Sequence, residues 1–326
     1  MSEPKIVHLV DSQSQSEAKI SVEFGFNCYS FVVRQASQTC DVLWSDPAFP
    51  SKAARPSGSG IPLLFPFPGR IAEGVFTWRG KRYVLEPNDG RGNAIHGFVY
   101  TRPWRIVEQT ADSVTGEFHA ARDDAELLAF WPSDFRIRAT YRIEGTSLES
   151  VYHIDNPSSE PLPCGFGTHP YFRVPLGGTD AALCRIRIPV HEEWELDRLL
   201  PTGIRFPIRD WQSFHEGLEF GAMQFDSVFS GLVFGEDGWC RTEIVDPQSG
   251  WKVTHQFDRQ FSACVVYTPP HRQAVCIEPY SCVPNAIRLY SAGIPSGLRI
   301  LQPGEEVTFR VRIHAELGWG DQGEGS

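Results

Sequence analysis

Apolar and polar residues alternate with a period of two along most of this chain, which is the pattern of half-buried strands. Residues 135–155, FRIRATYRIEGTSLESVYHID, place Phe135, Ile137, Ala139 and Tyr141 on one face with arginines between them. The alternation breaks at Glu144-Gly145-Thr146 and then resumes, which predicts a hairpin. Residues 74–85, GVFTWRGKRYVL, read as strand, Arg-Gly turn and strand. Further strands are predicted at 261–268, 274–279 and 305–316. The one helical candidate is DDAELLAF, 123–130, stopped by Pro132. From about 191 to 224 the chain is aromatic and loop-like, includes DRLLPTG, and predicts a long excursion over one sheet.

Many strands joined by turns imply an all-β protein of two packed antiparallel sheets, a sandwich larger than usual. No Gly/Ser- or Pro-rich linker divides the 326 residues, and no fixed-period repeat occurs. A single domain over 1–318 is expected, with residues 319–326 forming a disordered tail without apolar pattern. Composition fits many turns and few long helices, with 29 Gly and 25 Pro. The net charge of -10 argues against nucleic-acid and anionic-membrane partners, although a few arginines could still build a local anion pocket. The N-terminal stretch has no apolar core of a secretory signal, and no run is long enough to span a bilayer, so a cytoplasmic protein is expected. The eight cysteines form no CxxC pair and read as reduced core thiols.

Four stretches set a charged or titratable residue in stiff or apolar sequence. In IPLLFPFPGRI, three prolines make an irregular segment that ends on Arg70, a planar fork suited to oxygen acceptors. In GNAIHGF, His96 precedes Gly97, which permits close approach of a ligand or another backbone. In CGFGTHPYF, His169 precedes a proline that forces extended geometry, and strand periodicity puts it on one face with Tyr171. In AVCIEPYSCVPNAI, Glu278 shares a face with the small residues Ala274 and Cys276. Each has a plain alternative: a surface ion pair for Arg70, a structural ring for either histidine, a solvated strand end for Glu278. The shared contexts HPYF and EPYS nevertheless suggest an acid and a base on matching strand ends, facing one pocket.

Other chemistries lack their signatures. No HExxH, H-x-H or clustered Cys/His set supports a metal, and no Gly-rich phosphate loop or dinucleotide fingerprint appears. The nucleophile elbow G-x-S-x-G is missing. His8, His119, His153, His191, His215, His255, His271 and His314 have no interpretable company.

Taken in order, GIPLLFPFPGRI, GNAIHGF, VYHIDNPSSEPLPCGFGTHPYF, LLPTG, FDSVF, IEPYSCVPNAI and LQPGEEVTFRVRI resemble the aldose 1-epimerase (galactose mutarotase) family over about residues 60–313. The resemblance implies a galactose-mutarotase-like β-supersandwich of antiparallel strands that uses no metal and no cofactor, acts on a small sugar, and exists as a monomer or homodimer. By motif match, Glu278 corresponds to the family's general base, His169 to its general acid and His96 to its second active-site histidine. Arg70 and Asp226 correspond to residues that bind sugar hydroxyls. The implied reaction interconverts the α and β anomers of a hexose by ring opening. Mutual attraction is expected to raise the pKa of His169 and lower that of Glu278. Phe67, Tyr171 and Tyr280 are candidate apolar walls. Two departures, GRI without a preceding asparagine and HGF in place of HGG, bring in hexose-6-phosphate mutarotases as an alternative, with Arg55, Lys81, Arg91 and Arg173 as candidate phosphate ligands. A non-catalytic carbohydrate-binding sandwich is the third reading.

Overall fold

The computed structural model of the chain describes residues 4–51 and 54–318, so the expected tail at 319–326 lies outside the described residues. The alternation at 135–155 becomes the strands Arg136–Glu144 and Ser147–Asp155, paired antiparallel around Gly145, which takes φ +58. Phe135, Ile137, Ala139 and Tyr141 are fully buried. The arginines between them stay on the outer face, where Arg136 meets Asp155 at 2.9 Å and Arg138 meets Glu117 at 2.7 Å. A period-two sequence thus sorts itself into a core face and a charged face.

That hairpin lies in a nine-stranded sheet. Its order runs Arg105–Gln109, Ser113–His119, Arg136–Glu144, Ser147–Asp155, Glu306–Leu317, Trp251–Asp258, Trp239–Asp246, Arg185–Arg187 and Leu218–Glu219. An eight-stranded sheet runs Leu200–Pro207, Glu192–Asp197, Asp226–Ser230, Ala263–Tyr267, Ala274–Tyr280, Gly167–Thr168 and Leu63–Leu64, with Tyr171–Arg173 also pairing to Ala274–Tyr280. The named strands pair antiparallel throughout both. Between them one apolar cluster draws Ile137, Tyr152, Phe257 and Phe309 from the first sheet and Phe172, Phe229, Val275 and Ile277 from the second. Close ring contacts such as Tyr152 with Phe166 at 4.8 Å and Phe166 with Phe309 at 5.0 Å knit the two layers. Residues 6–41 add a four-stranded sheet. All eight cysteines are free and buried. Among the described residues no helix is long and apolar enough to cross a membrane.

Two expectations need correction. The helix predicted over 123–130 is split: Ala120–Asp123 is helical, Asp124 breaks out at φ -158, and Ala125–Ala129 continues as a 3-10 turn. Only Ala120 and Leu127 of these segments are buried, too little apolar face to hold a longer helix in register. The stretch 191–224 is less of a loop than its composition predicts. It holds the antiparallel hairpin of Glu192–Asp197 and Leu200–Pro207, turned by Arg198 and Leu199 at φ +48 and +67, followed by a helix at Trp211–Glu216. The second strand exposes most of its residues at a sheet edge, so no apolar alternation marked it. A further short helix, Ala286–Ser291, was also not predicted.

Candidate active site

The floor of the site is the strand Ala274–Tyr280, in which all seven residues are buried. Its alternation divides two environments. Val275 and Ile277 enter the inter-sheet core, while Ala274 and Cys276 pack with Tyr171 on the opposite face. Glu278 continues that second face, only 1% exposed. The neighbouring strand Tyr171–Arg173 pairs Tyr171 with Cys276, so the residue two before Tyr171 projects toward Glu278. That residue is His169, fixed by its backbone N–H donating to the Pro62 carbonyl at 3.0 Å. Its ring stacks parallel on Tyr171, centroids 4.8 Å apart. Nε2 of His169 comes within 3.3 Å of Oε1 of Glu278. The Tyr280 hydroxyl donates to the other carboxyl oxygen, Oε2, at 2.6 Å. The strand ends HPYF and EPYS therefore do meet.

Arg70 and His96 arrive together on a second small ladder. Arg70–Ile71 pairs with Ala94–Ile95, with Arg70 opposite Ile95, and the His96 N–H donates to the Gly69 carbonyl at 2.9 Å. His96 and Gly97 both take φ +71, and a Cβ on Gly97 would lie 2.1 Å from the Phe65 carbonyl oxygen. The glycine thus serves approach by another backbone, and the tight path turns the His96 ring edge-on to His169 at 5.4 Å. Arg70 is aimed by Asp89, whose Oδ2 accepts from its Nε at 3.2 Å. Asp89 also accepts from the backbone N–H groups of Arg91 and Asn93 and from the Asn93 side chain. Burial works to raise its carboxyl, but these donors outweigh it and hold it below the ordinary value.

These groups line a cavity of about 270 Å³, together with Asp226, Arg55, Arg91, Tyr267 and the hairpin-tip residues Leu196 and Leu199. Asp226 opens the strand Asp226–Ser230 opposite Tyr267 and is exposed at the cavity. The structure thus brings together Glu278, His169, His96, Arg70 and Asp226. It does not bring in Phe67, which stacks on Trp131 at 5.6 Å in the core, whereas Tyr171 and Tyr280 do line the cavity. Of the four phosphate candidates, Arg55 and Arg91 are at the site. Lys81 lies over the Tyr83 ring and Arg173 lines a separate depression with Asp41. Sequence reasoning missed Asp89, whose carboxylate in a Gly- and Asn-rich loop looked like ordinary turn chemistry. It also missed the Tyr280 hydroxyl as a donor to Glu278, although the i, i+2 spacing on one strand face was available.

The electrostatics reverse the expected direction. Burial is the largest influence on both members of the pair, pushing His169 down to about 3 and Glu278 well above the carboxylate range. Arg55 and Arg70 further oppose a charge on His169, and Asp226 opposes one on Glu278. Burial therefore favours a neutral imidazole and a protonated acid, because desolvation outweighs mutual attraction. His96 is also lowered, by burial first and then by His169 and Arg70. Cys276 is close enough for one ligand atom each of His169, Cys276 and Glu278 to lie within 4.8 Å of one another. Burial raises that thiol well above its usual range, so it rests as the neutral S–H.

The aldose 1-epimerase family profile matches residues 8–314, and the chain belongs to that family. The uncharacterized protein YihR of Escherichia coli (strain K12) is 28% identical over 263 residues, covering 78% of each chain. The galactose mutarotase of Sus scrofa is 28% identical over 142 residues, 43% of this chain and 40% of that one. Among solved structures, a galactose mutarotase-like protein from Clostridium acetobutylicum superposes with a TM-score of 0.84 at 23% identity, covering 97% of this chain and 99% of that one. The GalM/aldose epimerase homologue from C. elegans gives 0.80 at 18% identity, covering 97% and 99%. These likenesses show that the fold is of the galactose mutarotase type.

Proposed function

We propose that the protein is an aldose 1-epimerase that interconverts the α and β anomers of a hexose by opening and reclosing its ring. One observation carries this reading: a buried imidazole and a buried carboxyl stand 3.3 Å apart at the floor of a polar, sugar-sized cavity. The anomeric hydroxyl and the ring oxygen of an aldose share one carbon. An acid for one and a base for the other must therefore be close neighbours.

The pair holds one proton between its two members. With sugar bound, Glu278 as carboxylate removes the proton from the C1 hydroxyl while protonated His169 delivers one to the ring oxygen. The electron pair of the O1–H bond becomes the carbonyl π bond, and the C1–O5 bond breaks. The result is an open-chain aldehyde facing a protonated Glu278 and a neutral His169. That is the protonation state burial favours, so opening the ring runs toward the pair's preferred state. Rotation about C1–C2 presents the other carbonyl face, and closure reverses both transfers. Tyr280 steadies Glu278 when it is charged, since its hydroxyl donates to Oε2. His96 and Arg70 stabilise charge developing on the sugar oxygens, and Asp226 accepts from hydroxyls at the open end.

The test is polarimetry or NMR on freshly dissolved pure α-anomers. Exchange is expected to run well above the buffer rate in proportion to enzyme. Buffer-rate exchange for every neutral and charged aldose tried would refute the proposal.

A further inference from the structure

The acid–base pair at the cavity floor has a buried neighbour that ring opening does not use. Cys276 precedes Glu278 by two residues on one strand face and pairs with Tyr171, on whose ring His169 stacks. One ligand atom from each of His169, Cys276 and Glu278 lies within 4.8 Å of the other two, and all three residues are buried. Among the described residues this is the one group of three such side chains so placed. Other histidine–carboxylate pairs come closer, as His8 does to Glu17 at 2.6 Å and His119 to Asp134 at 2.7 Å. Those pairs are more exposed and gather no third ligand. Sequence spacing conceals the trio, because its histidine comes from a different segment of the chain.

The spacing suits a small tetrahedral cation. With zinc–nitrogen and zinc–oxygen bonds of about 2.0–2.1 Å, two such ligands stand about 3.3–3.4 Å apart. Nε2 of His169 and Oε1 of Glu278 are already at 3.3 Å. A sulfur ligand at about 2.3 Å stands about 3.6 Å from each, so the thiol has about 1.2 Å or less to close. His169 and Glu278 line the cavity, which leaves the fourth position to water or a sugar oxygen.

We infer that His169, Cys276 and Glu278 form a binding site for zinc or a comparable thiophilic dication, and that its occupancy reversibly blocks the acid–base pair. The binding stands on this geometry alone, whereas the block rests on the epimerase reading above. A thiolate, a carboxylate and a neutral imidazole cancel the charge of a dication, so the assembly enters a buried place without net charge. Ligation releases the thiol and carboxyl protons to solvent. The sulfur selects zinc over magnesium or calcium, which take oxygen ligands. Nδ1 of His169 meets no hydrogen-bond partner among the described residues. A ligand histidine without that outer support binds about 10–100-fold more weakly, which makes the cation a removable inhibitor and not a resident group.

Cobalt(II), which occupies tetrahedral zinc sites and is coloured there, is the probe. Titrated into the full chain after EDTA treatment and its removal, it should give visible d–d bands and a near-ultraviolet thiolate-to-cobalt charge-transfer band. Zinc should abolish both. Cys276→Ala should lose the charge-transfer band while still melting cooperatively, and Cys276→Ser serves the same purpose if the alanine variant does not fold. Anomer exchange should stop in zinc, continue in magnesium and return on adding EDTA. In the Cys276 variant, exchange in EDTA should match the parent, and the zinc concentration for half-inhibition should rise by about tenfold or more. A parent without the charge-transfer band, or a folded Cys276 variant that keeps it, would overturn the inference and leave the epimerase reading standing. Equal zinc sensitivity with and without Cys276 would overturn it too. If no sugar is accelerated, the epimerase reading falls, and the cobalt titration still decides whether the site exists.

Discussion

Two buried histidines sit on opposite sides of the segment HPYF. His169 is 6% exposed and stacks on Tyr171, on the cavity face of the sheet. His255 is 1% exposed and packs 5.0 Å from Phe172, on the core face. Burial pushes both rings down to about 3. By burial and perturbed titration alone they are indistinguishable. They differ in company: His169 has a carboxyl at 3.3 Å and a cavity, whereas His255 has the Thr242 hydroxyl at 3.4 Å and the rings of Phe172 and Phe257. A depressed histidine marks a core as readily as a site, and a proton partner beside open volume tells them apart.

Substitutions should separate the two regions cleanly. Glu278→Gln keeps the shape of the side chain but removes the proposed base, and His169→Ala removes the proposed acid. Each should lower anomer exchange by roughly 10²–10⁴-fold, the usual range for a general acid or base, with little change in the melting curve. His255→Leu should leave exchange intact, and a comparable loss there would erase the distinction.

Stability against pH sharpens the contrast. A histidine whose folded pKa is about 3 is neutral in the folded state and protonated in the unfolded chain once the pH falls below about 6.5. The unfolded state then binds more protons, so stability declines as the pH drops from 6.5 toward 3, by at most about 1.4 kcal/mol per pH unit per ring. Denaturant melts of His255→Leu should show a shallower acid decline than those of the parent. Glu278 acts with the opposite sign. Its raised folded pKa adds stability that is complete below the unfolded value near 4.5 and is lost as the pH rises through the folded value. Glu278→Gln should therefore flatten the decline that sets in as the pH rises above about 4.5, and an unchanged profile would show that burial does not hold the carboxyl protonated.

The smallest effect is expected at Tyr280. Tyr280→Phe removes the donor to Glu278 and raises that carboxyl further, so the acid limb of the pH–rate profile should move to higher pH, with a rate loss of about tenfold at neutral pH. A limb that stays in place would make the hydroxyl a packing contact only.

Much of this was readable in the chain because it depends on a period of two. The hairpin at Gly145, the face shared by His169 and Tyr171, and the face shared by Cys276 and Glu278 all follow from alternation that burial enforces. What escaped had no such constraint. The hairpin of Glu192–Asp197 and Leu200–Pro207 turns on Arg198 and Leu199, neither a turn-forming residue by type, and its outer strand buries little. Asp89 returns to Arg70 only after the hairpin of Val75–Trp78 and Lys81–Val84, a contact that alternation does not announce. The resting state of the acid–base pair was mistaken for a subtler reason. Attraction between partners can be inferred from their types, but the depth at which they are buried cannot, and here depth decides the sign.

The most direct test of the central claim is a double-mutant cycle in anomer exchange, comparing the parent protein with Glu278→Gln, His169→Ala and the two combined. If one proton passes between these residues through the sugar, either single change disables the pair, and the double variant should be hardly slower than the worse single. Losses that simply multiply would contradict the account, because they would mean that His169 and Glu278 act on separate steps.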